Sequence, residues 1–408
     1  MRILLLTQWF DPEPTFKGLA FARELVRRGH TVQVLTGFPN YPGGRLYHGY
    51  KVRLLQRETI DGISIIRVPL YPSHDGSALK RIANYLSFAF SAALLGPLLV
   101  GQADVVYVYH PPATVALPAM MLKLLRRMPF VYDIQDLWPD TLAASGMLNN
   151  RNILKCVDWW CRLTYRCADH IAVLSPGFKR KLIERGVPEE KISVIYNWCD
   201  EGQIAIMERS LAAEREPEMV GRFNIVFAGT MGKAQALDAV LDAAELIAER
   251  LPLVQFVFIG GGIDVERLTR ITAEKKLDNV RFLPRRPVSE IGSALNMADL
   301  LLVHLKDDPL FEITLPSKTQ AYLAVGRPIL MAVRGDAADL VEKAGAGITC
   351  SPEDPHSIAA SVEKLAAMTE EERDEMGRRG ATYYQQELAL AVGVRRFEKI
   401  FTDMARIA

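Results

Sequence analysis

Short apolar runs recur along the chain, each followed by a longer stretch whose apolar residues are spaced for a helix. Residues 1–7, MRILLLT, read as a buried strand; FKGLAFARELVRRGH, closed by Gly29, reads as a helix; TVQVLTG reads as a second strand. Strand, helix and strand in that order make a βαβ unit, which implies a parallel sheet. The pattern continues through ISIIRVP, a helical stretch over 79–100, then ADVVYVYH, FVYDIQD, HIAVLS and KISVIYN. Residues 199–222 turn polar and read as a linker. A second series then starts afresh with FNIVFAGT, VQFVFIGGG, VRFLPR, ADLLLVHL, RPILMAV and GAGITCS. The expectation is an α/β protein of two Rossmann-like parallel-sheet domains, 1–200 and 201–388, facing a cleft. The amphipathic segment 389–408 is expected to pack back on the first domain.

Composition changes this picture little, and charge changes it more. With 49% hydrophobic and 24% charged residues the 408-residue chain lies far from disordered or fibrous classes. The net charge of +1 hides an asymmetry: residues 1–200 carry 24 Lys and Arg against 16 Asp and Glu, leaving 25 against 32 for the rest. A basic first half suggests an anionic partner, such as a membrane surface or a phosphorylated substrate. No nucleic-acid-binding signature accompanies it. The five cysteines form no C-x-x-C pair and read as buried thiols of a reducing cytosol. The N-terminal run lacks the length and cleavage site of a signal peptide.

Among chemical motifs, neither G-x-G-x-x-G nor a P-loop is present, which argues against a dinucleotide dehydrogenase or a P-loop enzyme. There is no D-x-D and no H-E-x-x-H, so no metal site is expected. Gly260-Gly261-Gly262 reads either as a close-approach loop or as a flexible turn. His110 ends a strand at the sheet edge where open α/β folds bind ligands; because Pro111-Pro112 fix the exit of the chain there, a functional role is favoured over that of a capped structural histidine. Asp133, Asp136 and Asp140 include at least one helix cap, and His304 lies in an apolar run that suggests a structural role. In FEITLPSKTQAYLAVGRPIL, residues 311–330, Pro316 suits a helix start, with Ser317 and Lys318 in the first turn. Free N–H groups and a lysine at a helix start make a ready anion site. Glu312 reads as a buried acid needing a partner such as a sugar hydroxyl.

This segment resembles the donor-binding segment of the retaining, family 4 (group 1) glycosyltransferases with the GT-B fold. FAGTMGKAQALDAVLDAA, the loop ending in FKG, and YDIQDLWP support the resemblance across essentially the whole chain. It is closest to bacterial O-antigen, capsule and colanic acid transferases, including N-acetyl-L-fucosaminyl transferases. The resemblance implies that Glu312, His110 and Lys318 act on the transferred sugar and the leaving diphosphate. It places Lys17, Gly18, Gly229, Gly232, Lys233 and Arg285 around the nucleotide, with Leu315, Pro316 and Ser317 at the helix start. The family's second acid, which holds the ribose, falls on Gln320; its usual Arg and Lys fall on Thr230 and Gln235.

The implied function is metal-independent transfer from a UDP-sugar to a polyprenyl-pyrophosphate-linked saccharide, without a cofactor, at the cytosolic face of the inner membrane. The alternatives are a transferase using a GDP-sugar, a glycoside hydrolase, which needs a second cleft carboxylate, and a non-catalytic sugar-nucleotide-binding partner. The apolar run 85–100 is shorter than the ~20 residues of a membrane span, so a peripheral attachment through Lys80, Arg81 and MMLKLLRRM is expected.

Overall fold

The computed structural model describes residues 1–73, 78–144, 148, 150–202 and 209–407. It divides into two compact units, Met1–Tyr196 with Gly393–Ala408, and Asn197–Val392. Part of the stretch read as a linker is built into the second unit. Its helix Arg209–Arg215 buries Ala212, and Glu216 accepts from Arg286 and from the Ser293 hydroxyl, the latter at 2.6 Å.

In the first unit, eight strands form one sheet: β1 (Arg2–Leu6), β2 (Thr31–Thr36), β3 (Gln56–Ile60), β4 (Ile63–Arg67), β5 (Val105–His110), β6 (Phe130–Ile134), β7 (His170–Val173) and β8 (Ile192–Val194). Their order is β3-β4-β2-β1-β5-β6-β7-β8. All pairs are parallel except β3 with β4. The central β5 and β6 are buried at every residue, as expected for strands covered on both faces. Polar β3 is an edge strand outside the sequence expectation. Its signal was Asp61-Gly62, both with positive φ, the pairing of residues that favours a two-residue hairpin turn.

Helix α1 (Leu19–Arg27) follows β1, α2 (Ala78–Leu99) precedes β5, and α3 (Ala116–Arg126) follows it. Gly96 lets α2 approach the sheet, since a Cβ there would stand 3.0 Å from the Leu35 side chain. At 22 residues, α2 is longer than the apolar run that suggested it. Among the described residues it is the helix long and apolar enough to cross a membrane by length and composition, so the length argument against a span fails. Yet its inner face, Phe88, Ala89, Ala92 and Ala93, is buried against the unit.

The C-terminal helix Leu390–Ile407 contributes Phe397 and Phe401, both fully buried. Phe397 packs against Tyr107 and Phe21 with ring centroids 5.3 and 5.5 Å apart. Glu398 meets Arg28 at 2.5 Å and His30 at 2.8 Å.

The second unit is a six-stranded sheet of β9 (Phe223–Thr230), β10 (Val254–Gly261), β11 (Val280–Leu283), β12 (Leu300–His304), β13 (Ile329–Ala332) and β14 (Gly347–Thr349). The order β11-β10-β9-β12-β13-β14 is wholly parallel. It is the doubly wound order, in which the crevice between the first and fourth strands is the topological switch point. Phe227, Phe256 and Phe258 anchor the core beneath that edge. The cysteines are all free, with Cys161 and Cys199 buried; Cys156 is exposed, on the outer surface of the helix Arg151–Cys167 rather than in the core as expected.

Phe397→Ala is expected to destabilise the first unit by about 3–5 kcal/mol, the usual cost of emptying a buried phenylalanine site. Urea unfolding followed by tryptophan fluorescence measures it. A loss below about 1 kcal/mol would mean that the C-terminal helix is not part of this core.

Candidate functional site

In the second unit the loops after β9, β10 and β12 converge at the switch point. The first two touch backbone to backbone. A Cβ at Gly260 would stand 1.9 Å from the Gly229 carbonyl oxygen, and one at Gly262 would stand 2.0 Å from that of Met231. Both glycines have positive φ, so the triplet is a close-approach loop of chain against chain. The following turn, Lys233–Gln235, is fixed by its own side chain: Gln235 Oε1 accepts from Gly232 N–H at 3.0 Å. His304 Nδ1 lies 2.7 Å from the Gln235 carbonyl oxygen, and its Nε2 accepts from Glu353 N–H at 3.1 Å. His304 therefore joins two loops as a neutral ring, protonated at Nδ1. Lys233 projects from this turn, exposed.

The helix Ser317–Val325 begins at the same edge, with Pro316 at its N-cap and Ser317 and Lys318 in the first turn. Ser317 is exposed and Leu315 is buried. The stem of Lys318 is partly accessible, but its ammonium nitrogen is enclosed without a hydrogen-bond partner among the described residues. It lies 3.3 Å from the centre of the Phe227 ring. Burial pulls its pKa down to about 7. Gly229 leaves room for it, since a Cβ there would come within 3.4 Å of Nζ. Tyr322, which sequence reasoning missed, fixes the end of β9 by accepting from Ala228 N–H at 2.8 Å.

Two assigned residues stand differently from expectation. Glu312 is exposed, not buried, because it ends the four-residue helix Pro309–Glu312 at the surface. Its backbone is pressed against Gly335, where a Cβ would meet the Glu312 carbonyl at 2.1 Å. Gln320 is buried, and its amide nitrogen donates to the carbonyls of Pro316 (2.9 Å) and Ser317 (3.0 Å). Arg285 is exposed beside the glycine loop, its Cβ 4.0 Å from where a Cβ of Gly261 would be.

The first unit's strand ends carry a separate polar network. Lys17 is fully buried, 2.5 Å from the Asp133 carboxylate, which also accepts from the Tyr107 hydroxyl. Its ammonium lies 5.0 Å from the Phe397 ring centre. Lys17 thus anchors its loop and is not available to a nucleotide, a correction to the expected role. Gly18 caps α1, where a Cβ would lie 2.4 Å from the Asp11 carboxylate that accepts Leu19 N–H at 2.7 Å. Glu13 and Arg67, neither singled out from the sequence, hold the same loop. Glu13 accepts from the N–H groups of Phe10, Asn40 and Tyr41 at 2.7–3.1 Å. Burial pushes its carboxyl up to about 7 against these donors. Arg67 donates to the carbonyls of Gly37 and Asp11.

His110 is buried at the end of β5, with Nδ1 enclosed and without a partner among the described residues. The rings of Tyr132 and Trp138 lie 5.6 and 5.5 Å away. Burial lowers its pKa to about 3, so it acts as a neutral imidazole. Asp140 pairs with Arg185. Trp9, Tyr41, Tyr85 and Trp138 form an aromatic cluster beside it, with successive centroids 4.5–6.4 Å apart.

Residues 19–198 match the family model described as Glycosyl transferase 4-like domain, and residues 222–368 match that described as Glycosyl transferases group 1. The chain is a glycosyltransferase with the GT-B fold. The transferase is 27% identical to the putative colanic acid biosynthesis glycosyl transferase WcaI of Escherichia coli, over 80% of this chain and 82% of the relative. It is 24% identical to the probable glycosyltransferase WbjE of Pseudomonas aeruginosa, over 71% and 73% of the two chains. Among solved structures, Anabaena HepE in complex with UDP and glucose superimposes with a TM-score of 0.69 at 15% identity, covering 98% and 99% of the chains. Sucrose-phosphate synthase of Thermosynechococcus elongatus gives 0.68 at 13% identity, covering both chains fully.

The Lys318 environment gives a signed pH prediction. Its folded pKa, about 7, lies below the ordinary 10.5. Between these values the unfolded chain binds more protons than the folded one, so stability rises with pH through this window and the effect vanishes below it. In the absence of ligand, the transferase is expected to gain stability from pH 7 to 10 relative to Lys318→Met. Urea midpoints of the two proteins across that range measure the difference. Parallel curves would show that the ammonium is solvated.

Proposed function

We propose that the transferase moves a glycosyl group from a UDP-sugar to a lipid-linked saccharide, with retention at the anomeric carbon, during assembly of a bacterial surface polysaccharide. The observation that carries this reading is the enclosed, unpartnered ammonium of Lys318 at a helix start beside the switch point. It offers a cation and free N–H groups where a diphosphate needs both. HepE, bound to UDP and glucose, and WcaI, named for colanic acid biosynthesis, support the donor and the pathway class. By resemblance the donor sugar is N-acetyl-L-fucosamine or another N-acetylated hexosamine.

In this reading Lys318 and the amides of the helix start take up the negative charge that develops as the bond between the anomeric carbon and the phosphate oxygen breaks. Lys233 and Arg285, exposed at the same edge, close on the departing diphosphate. Glu312 accepts hydrogen bonds from the transferred sugar. The acceptor hydroxyl adds to the anomeric carbon from the leaving-group face and passes its proton to the departing phosphate oxygen, releasing UDP. His110, neutral, can exchange only single hydrogen bonds with a sugar hydroxyl. The aromatic cluster of Trp9, Tyr41, Tyr85 and Trp138 offers apolar ring faces suited to an acceptor saccharide. With a polyprenyl-linked acceptor and a nucleotide-sugar donor, we assign the work to the cytosolic face of the inner membrane.

Turnover of UDP-sugars against polyprenyl-pyrophosphate-linked acceptors tests the proposal, with product anomers assigned by NMR. Glu312→Gln is expected to lower kcat about 10²–10³-fold with the unfolding midpoint unchanged, since the side chain is exposed. Turnover is expected to survive EDTA, because the described residues contain no group of three metal-ligating side chains. An inverted product would overturn the retaining mechanism, and binding of UDP-sugars without any turnover would overturn the assignment as a catalyst.

A further inference from the structure

From Tyr85 to Leu99 helix α2 carries no charged residue, and apolar side chains lie on both of its sides. The sheet covers one. The other side carries a row at helical spacing, Ile82, Leu86, Phe90, Leu94 and Leu98, of which the last three are 56, 70 and 81% exposed. From Leu79 to Leu98 the row runs about 28 Å at the helical rise. At the end of α2 the row meets α3, because the Arg126 guanidinium donates to the carbonyls of Pro97 and Val100. There Leu124 and Leu125 are also exposed, at 75 and 57%.

Charge brackets this surface with one sign. Lys80 and Arg81 stand at its beginning, and Arg126 and Arg127 at its end; Lys123, beside them, is paired with Asp169 at 2.7 Å and adds no net charge. Between residues 78 and 127 the only acid is Asp104, and it is held by Arg2 at 2.5 Å. Two copies of such a face would bring like charges together. An apolar row with cations at both ends instead matches an anionic bilayer, in which the row enters the acyl boundary and the cations meet the headgroups.

We propose that the outward face of α2, continued by Leu124 and Leu125, is the docking surface through which the first unit lies on an anionic membrane, α2 being in the plane of the interface. The inference rests on the proposed lipid-linked acceptor for its biological setting, but its observations are independent of catalysis. It differs from a purely electrostatic attachment in assigning part of the binding to buried apolar side chains.

The test is flotation of the full chain with phosphatidylcholine vesicles, with and without about a third phosphatidylglycerol. Wild type is expected to float with the anionic vesicles and less with the neutral ones. Phe90→Gln, Leu94→Gln and Leu98→Gln together are expected to reduce partitioning about tenfold or more at both low and high salt. Lys80→Glu with Arg127→Glu is expected to reduce it chiefly at low salt. Unfolding midpoints and UDP binding of both variants should match wild type, because the altered side chains are exposed and outside the candidate site. Flotation of the triple variant equal to wild type would overturn the proposal, as would no flotation of wild type. Concentration-dependent self-association abolished by the triple variant, without vesicle binding, would assign the face to a second copy instead. Transfer to a water-soluble acceptor, measured in parallel, separates the two readings: turnover without flotation removes only the docking surface, and flotation without turnover removes only the transferase mechanism.

Discussion

Burying an ammonium group costs several kcal/mol unless something negative meets it, and this chain does so twice with opposite solutions. Lys17 is met by Asp133 at 2.5 Å, with Tyr107 on the same carboxylate and Phe397 beside it. That charge is satisfied and the loop after β1 is fixed. Among the described residues, Lys318 is met by the Phe227 ring and the space left by Gly229. Burial pulls its pKa down to about 7. The first lysine is part of the architecture, and the second is the one to which the proposed function gives a role.

The surrounding structure of the second unit follows from holding that unsatisfied group in place. The glycines at 229, 260 and 262 let the strand ends approach until only backbone separates them. Gln235 and His304 then fix the turn after β9, and Tyr322 fixes the end of the strand itself. Every one of these contacts is to a backbone group, so the edge is set by rigid elements rather than by mobile side chains. Preorganisation of this kind is what lets a fixed cation stabilise developing charge without reorganising during the reaction.

Much of the fold was legible because the strands of a doubly covered parallel sheet are short apolar runs separated by helical patterns. β3 escaped because an edge strand with polar alternation carries no such run, and only the Asp61-Gly62 turn marks it. The helix start at Pro316 was legible from local chemistry. Partners were not. Lys17 and Lys318 look alike in sequence, and what separates them is an aspartate 116 residues away from the first. Glu312 read as a buried acid beside the helix start, yet a four-residue helix leaves its side chain outside. In α2 the sequence showed an apolar run without showing that it has two apolar faces, one against the sheet and one open.

The glutamine at position 320 illustrates how local backbone demand can decide a residue at a helix start. The side chain is buried, and the groups within its reach are the carbonyls of Pro316 and Ser317. A carboxylate there would set acceptor against acceptor in a place water does not reach, and only protonation would relieve it. The amide supplies donors instead, closing the first turn of the helix that presents Lys318. Charge at the helix start is thereby left to the ligand. With Lys318 unneutralised and no acid at 320 to compensate it, the site's net demand is for an anion, and the neutral amide leaves that demand undiminished.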